Sequence, residues 1–282
     1  MKRLLLGAMV LTALMYSCKG KQLTGTTDDV QLDSMDSIAS QDTVSDDTLE
    51  MLVTQALMPR AADELFDDFL FNFSANRKLQ MERVMFPLLK VRGVDSIRVA
   101  KEDWQIERFF MRQEFYTVLF DSEQQMELVK DTSVNRATVE KIYFNTGAVI
   151  QYNFHRINRV WMLTDINTQP IFANRNASFL EFYHKFVTDS VFQIESLHET
   201  VEFVGPDPDD DFARMEGILT PDTWLAFAPE LPDRMIYNVV YGMPKATTDK
   251  IIFVMRGIAN GLEVEMTFRH REGRWQLVKL TN

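Results

Sequence analysis

Cysteine is almost absent from this chain: one residue in 282. A single thiol excludes an internal disulfide and the paired thiolates of a structural zinc site, so a packed core must hold the fold. Cationic side chains are also in deficit, with 30 Lys plus Arg against 41 Asp plus Glu, a formal charge of −11. Nucleic-acid binding rests on cationic neutralisation of phosphates, so nucleic acid is not an expected partner. Long apolar runs are missing too: the stretch from Leu4 to Met15 is shorter than the roughly 20 residues a membrane-spanning helix needs. No Gly-rich phosphate loop, His-Glu-x-x-His helix or Gly-x-Ser-x-Gly elbow occurs, and no metal or cofactor is expected. What is abundant is apolar material: 46% of residues are hydrophobic and 21 are Phe, enough for one large domain or two small ones.

The N-terminus reads as an address. Lys2 and Arg3 precede the apolar run, giving the charged and apolar regions of a secretory signal. The run ends in Met15-Tyr16-Ser17-Cys18, which resembles a bacterial lipobox, a small residue directly before the only cysteine. The resemblance implies cleavage after residue 17 and acylation of Cys18. Residues 1–17 are then a lipoprotein signal peptide, and the bilayer is a partner through the acylated Cys18. More than one acyl chain is needed for stable anchoring, because each buried CH₂ contributes about 0.8 kcal/mol and a single chain is marginal. Residues 19–60 carry three basic and eight acidic groups among Thr, Ser and scattered apolar residues. Such a composition cannot bury enough surface to offset its ordering entropy, so residues 18–60 are expected to form an acidic tether.

The rest of the chain is written twice. At a shift of 113, Phe66, Phe69, Phe73, Gln80 and Glu82 fall on Phe179, Phe182, Phe186, Gln193 and Glu195; at a shift of 114, Phe154, Trp161 and Leu163 fall on Phe268, Trp275 and Leu277. Trp104 and Trp224 correspond only if several residues are inserted in the second unit. Two domains are expected, 61–170 and 171–282, each near the common size of a small domain. The short join at Thr168-Gln169-Pro170 points to a packed pair.

Each unit opens with a helix, because Leu65, Phe66, Phe69, Leu70 and Phe73 follow amphipathic spacing and Phe179, Phe182, Tyr183 and Phe186 repeat it. Polar breaks at 74–76 and 188–190 lead to a second helical turn carrying Leu79 and Met81, or Phe192 and Ile194. A strand follows through Val84, Phe86 and Leu88, or less regularly through Leu197, Val201 and Phe203. Each unit ends in three strands: 139–144, 148–154 and 160–166, then 250–256, 262–268 and 274–280, joined by short turns suited to antiparallel hairpins. The fold class is α+β, a tandem duplication of a curved antiparallel sheet with one face covered by helices.

The element order and the Trp in the last strand resemble the nuclear-transport-factor-2-like cone, a helix-backed bent sheet enclosing a pocket. The Phe-x-x-Phe opening, Leu79-Gln80-Met81-Glu82-Arg83 and Phe86-Pro87-Leu88 resemble a family of Bacteroidetes lipoproteins of unknown function. The resemblance implies a fold and a cell-envelope location but no mechanism. Lys19-Gly20-Lys21 lacks the acidic run associated with surface export in that group, so the expected side is periplasmic.

Candidate site residues follow from side-chain chemistry. Trp104, Tyr116, Trp224 and Tyr237 lie in the irregular middle segments, where such a cone places the mouth of its pocket; aromatics with a polar tip suit ligand contact, although a satisfied core position is the commoner reading for each. His155 and His270 sit near the ends of equivalent strands, one position out of register. His184 is placed on the polar face of the second opening helix, and His198 at the start of a strand. The acidic turn Gly205 to Asp211 lacks the EF-hand spacing and reads as an exposed loop. Together these describe a non-enzymatic, membrane-anchored module that binds a small ligand or an envelope protein. Two alternatives stay open: an envelope hydrolase or isomerase with a His and carboxylate in a cone pocket, and a structural interaction subunit without a pocket function.

Overall fold

A computed structural model describes residues 63–207, 210–243, 248–258 and 261–282. The signal peptide, Cys18 and the tether lie outside the described residues. Among those described, no helix is long and apolar enough to cross a membrane.

The two opening helices form where the Phe spacing places them. Helix α1 (Phe66–Ala75) buries Phe66, Phe69, Leu70 and Phe73, and Asp67 and Asp68 in its first turn complement the positive end of the helix dipole. The polar breaks are caps: the Asn76 side chain accepts from Leu79 N–H at 3.1 Å to start α2 (Arg77–Arg83). In the second repeat α4 (Ala177–Thr188) is followed by Asp189, which accepts from Val191 and Phe192 N–H, each at 3.0 Å, to start α5 (Ser190–Glu195). Carboxylate or amide oxygens satisfy amides that have no partner inside the helix. A short α3 (Glu123–Glu127) follows the third strand.

The first repeat contributes β1 (Val84–Arg92), β2 (Asp95–Val99), β3 (Phe115–Phe120), β4 (Arg136–Tyr143), β5 (Ala148–Ile157) and β6 (Val160–Pro170). The second contributes β7 (Leu197–Asp207), β8 (Asp210–Leu219), β9 (Met235–Tyr241), β10 (Lys250–Gly257), β11 (Glu263–Arg271) and β12 (Arg274–Thr281). The fold is α+β with helices over one face of each curved sheet, as expected, but neither sheet is wholly antiparallel: β1 pairs parallel with β6, and β7 with β12. The β5–β6 turn is tighter than the sequence suggests: the strand runs on to Ile157, and Asn158 and Arg159 turn the chain with φ of 51° and 69°. Two positive φ values match the twist of flanking strands in a two-residue hairpin.

The sheets do not follow the repeat boundary. Their orders are β2-β1-β6-β5-β4-β9 and β3-β10-β11-β12-β7-β8, so the third strand of each repeat completes the sheet of the other. Strand β9 pairs with β4, placing Asn238 opposite Glu140, and β3 pairs with β10, placing Val118 opposite Val254. The 61–170 and 171–282 halves therefore exchange a strand and close together.

Both exchanged strands are nearly continuous apolar runs, Phe115–Phe120 and Met235–Tyr241, largely buried along their length. Each covers a core on one side and meets the other exchanged strand. Thr117 Oγ1 donates to the carbonyl of Tyr237, and Leu119 N–H donates to Asn238 Oδ1 at 2.9 Å. Burial on two faces removes the polar alternation that marks a half-exposed strand.

The pairing registers put Glu140 opposite Gln151 and Val254 opposite Glu265, Asn153 opposite Asp165 and Thr267 opposite Lys279. Position 114 residues on is thus the spatial counterpart throughout these strands. The cores match accordingly: Phe73 and Phe154 meet edge to face with centroids 5.4 Å apart, and so do Phe186 and Phe268.

Candidate functional site

The four aromatic candidates are core residues, none more than 9% exposed. Trp104 Nε1 donates to Gln80 Oε1 at 3.3 Å, and Gln80 Nε2 donates to the Phe73 carbonyl at 2.8 Å. The second repeat has the same clasp: Trp224 Nε1 to Gln193 Oε1 at 2.9 Å, and Gln193 Nε2 to the Phe186 carbonyl at 3.2 Å. Both indole N–H groups are thereby satisfied inside the fold. Tyr116 stacks on Phe110 at 5.0 Å, and Phe110 meets Tyr237 at 5.7 Å.

The histidines separate. His184 stacks flat against Phe144 with centroids 5.1 Å apart. His198 is half-buried and lines the groove of the second sheet, with Nδ1 accepting from Thr200 N–H at 3.3 Å. His270 tilts onto Trp275 at 5.0 Å and lines a cavity of about 400 Å³ with Glu181 and Lys185. His155 lines a cavity of about 540 Å³ on the face of the first sheet turned away from α1.

That cavity is built from a polar ladder. Strands β4, β5 and β6 place Thr138 beside Asn153 and Asp165, and Glu140 beside Gln151 and Asn167. The rows are bonded along their length: Thr138 Oγ1 donates to Asn153 Oδ1 at 2.9 Å, Asn153 Nδ2 to Asp165 Oδ1 at 2.6 Å, and Asn167 Nδ2 to Gln151 Oε1 at 3.0 Å. Asn153 and Gln151 are each held on both sides.

At the floor lies Glu140, 1% exposed. A carboxylate so far from water needs compensating donors. It has three: Gln151 Nε2 at 2.9 Å and Asn174 Nδ2 at 2.8 Å on one oxygen, and Asn238 Nδ2 at 2.7 Å on the other. Asn238 comes from the exchanged strand β9, so both repeats build the floor. Arg175, in the segment joining them, supplies a cation whose Nη2 lies 3.7 Å from Asp121 Oδ2. Burial pulls the Arg175 pKa down, against the opposing pull of Asp121 and Glu140. Among the described residues, Arg175 Nη1, Asn176 Nδ2 and Asp121 Oδ2 are buried without a hydrogen-bond partner.

On one wall His155 Nδ1 lies 3.0 Å from Thr164 Oγ1, which donates to Asp165 Oδ2 at 2.8 Å. Burial, helped by nearby Arg136, lowers the His155 pKa, while Asp165 opposes the shift. The imidazole reaches a carboxylate only through a hydroxyl.

A second buried polar group lies on the helix-covered face. Glu107 takes Lys141 Nζ at 2.7 Å, Phe109 N–H at 2.8 Å and Tyr152 OH at 2.7 Å. Burial pushes the Glu107 pKa up, but Lys141 and the three hydrogen bonds outweigh it and hold the carboxyl below its usual value. Lys141 also sits 5.6 Å from the rings of Phe109 and Tyr152, an arrangement that stabilises a desolvated ammonium. Beside it, a cavity of about 340 Å³ is lined by Ile97, Ile150, Tyr152 and Ile166. Among the described residues no group of three His, Cys, Asp or Glu is placed to hold a metal.

Sequence reasoning missed Glu140, Arg175, Asn238, Glu107 and Lys141. The repeat itself carried the signal for two of them. Adjacent charges at 140 and 141, inside an apolar strand, stand where the second repeat has Val254 and Met255.

Comparison with known proteins agrees with this architecture. Residues 45–282 match the model of a family described as domain of unknown function (DUF4348). A crystal structure of an NTF2-like protein from Bacteroides fragilis is similar, with 38% identity, 80% of this chain and 98% of that chain covered, and a TM-score of 0.72. No curated protein matches the sequence. The chain belongs to the DUF4348 family and has an NTF2-like fold.

Proposed function

We propose that this chain is a membrane-anchored lipoprotein of the cell envelope, facing the periplasm, and that it works without catalysis by holding a small polar ligand in the cavity over Glu140. The observation that carries the reading is the construction of that cavity: about 540 Å³, with walls locked by side-chain hydrogen bonds and a buried carboxylate and guanidinium at one end. Ligand sites are concave, preformed and marked by a few convergent polar groups. An exposed sheet face has no need of a carboxylate that is 1% exposed.

The anchor rests on Lys2, Arg3, the apolar run and Cys18, and an origin like that of the Bacteroides relative suits such an address. Cys18→Ser is expected to move the protein from the membrane fraction to the soluble fraction; unchanged fractionation contradicts lipidation at that residue. For the binding role, small polar compounds are expected to raise the thermal midpoint of the full-length protein, and Ala173→Trp, which fills the cavity from its lining, to abolish the shift while the protein stays folded. A shift that survives Ala173→Trp places the ligand elsewhere.

One observation favours a second reading, an envelope hydrolase or isomerase: the His155–Thr164–Asp165 chain opens onto the same cavity. General-base catalysis would then depend on His155. Turnover of any ester or isomerisable substrate that disappears in His155→Gln, with binding retained, would replace the binding role with an enzymatic one.

A further inference from the structure

We propose that the ligand of the Glu140 cavity is a small organic carboxylate seated on the guanidinium of Arg175, an inference that rests on the binding role above. Glu140 holds three amide donors, and Asp165 holds Asn153 and Thr164. Among the described residues, two donors beside them are unpaired, next to one unpaired acceptor, Asp121 Oδ2.

Arg175 Nη1 and Asn176 Nδ2, on consecutive residues, are buried and have no partner among the described residues. The anions nearest to Arg175 leave that edge open: Asp121 lies 3.7 Å from Nη2, beyond hydrogen-bond distance, and Glu140 is saturated. The Arg175 side chain is 20% exposed and lines the cavity, so an arriving oxygen meets a charged donor there. The flat guanidinium fork matches a carboxylate, and Arg136 at the rim adds a second cation. Val240, Ala173 and the 83% exposed Met243 line the same cavity. They offer apolar surface to the uncharged part of the molecule.

The groove of the second sheet is lined by Lys250, Arg269, Arg271 and Lys279, but among the described residues none of them is a buried donor without a partner. The counterpart of Arg136 is Lys250, which is paired with Glu123. Val254, at the position of Glu140, is fully buried and presents no charge.

Calorimetric titration of the full-length protein with N-acetyl-leucine, its uncharged primary amide and phenyl phosphate tests the assignment. The acid is expected to bind at least about tenfold more tightly than the amide, as one charge-assisted hydrogen bond implies, and more weakly as salt rises. Arg175→Gln is expected to lose that preference, and Arg175→Lys to keep part of it. Arg136→Gln, at an exposed position, is expected to weaken the acid alone, and it keeps the test open if Arg175→Gln does not fold. Equal binding of acid and amide, or unchanged acid binding in both Gln variants, overturns the carboxylate while leaving a polar-ligand site in place. Binding of phenyl phosphate alone overturns it in favour of a phosphoryl group. Failure of all three probes overturns the carboxylate, and if small polar compounds also leave the thermal midpoint unmoved, the binding role falls with it.

Discussion

The two repeats share a backbone plan and differ in what they bury. At the strand positions Glu140, Lys141 and Tyr152 of the first, the second has Val254, Met255 and Met266, 114 residues on. Val254 and Met255 are 0% and 4% exposed, so the difference concerns the interior. On the outer faces, Arg136, Gln151, Asn153, His155 and Asp165 face Lys250, Glu265, Thr267, Arg269 and Lys279 as counterparts. The second set lines a groove of about 610 Å³ with charges of both signs, but its floor has no buried carboxylate. Buried ionic groups are seldom the most stable solution for a core. Their concentration on both faces of the first sheet is what the proposed site rests on, and the second repeat adds Asn174, Arg175 and Asn238 to it.

Making the repeats alike in the wrong direction should have the largest effect. Val254→Glu puts an unpartnered carboxylate into the apolar seam between the exchanged strands, and a loss of about 3–5 kcal/mol is expected, seen as a lower urea midpoint or as failure to fold. The shared plan predicts near-equal losses for Phe73→Ala and Phe186→Ala, each about 3–4 kcal/mol. A difference of more than about 2 kcal/mol between them would show that the two aromatic cores are not equivalent.

Smaller and unequal effects are expected at the indole clasps. Gln80 also accepts from Glu107 N–H at 3.0 Å and donates to the Glu107 carbonyl at 2.6 Å, contacts that Gln193 lacks among the described residues. Gln80→Ala should therefore cost about 2–3 kcal/mol and Gln193→Ala about 1–2, by chemical denaturation. The smallest effect is a pH dependence. The folded pKa of Glu107 lies below its ordinary value of 4.5, so its stabilisation is fully present above the unfolded pKa. It is lost as pH falls through the folded one, because the unfolded chain takes up the proton first. Glu107→Gln should flatten stability against pH in that acid window alone, and an unchanged slope would place the dependence on another carboxylate.

The paired helices that open each repeat, the polar breaks between them and eight of the strands were legible because amphipathic spacing and hairpin turns are local. The repeat extended that reading, since Phe66, Phe73 and Trp161 predicted the places of Phe179, Phe186 and Trp275. Strands β3 and β9 were not legible. They are buried on two faces and lack alternation, and nothing local says that a strand completes a neighbouring sheet. The aromatics of the middle segments face inward for the same reason, with Gln80 and Gln193 as the partners that make Trp104 and Trp224 core residues. His155 was read from sequence and lines the cavity, but its surroundings were hidden: Asn238 reaches Glu140 only through the exchange, and Arg175 lies in the segment that follows β6.

The claim that the first sheet holds the site is tested most directly by hydrogen–deuterium exchange of the full-length protein with and without N-acetyl-leucine. Protection confined to β4, β5, β6 and the 171–176 segment is the predicted result. Protection over β10, β11 and β12, or none in either sheet, would contradict it.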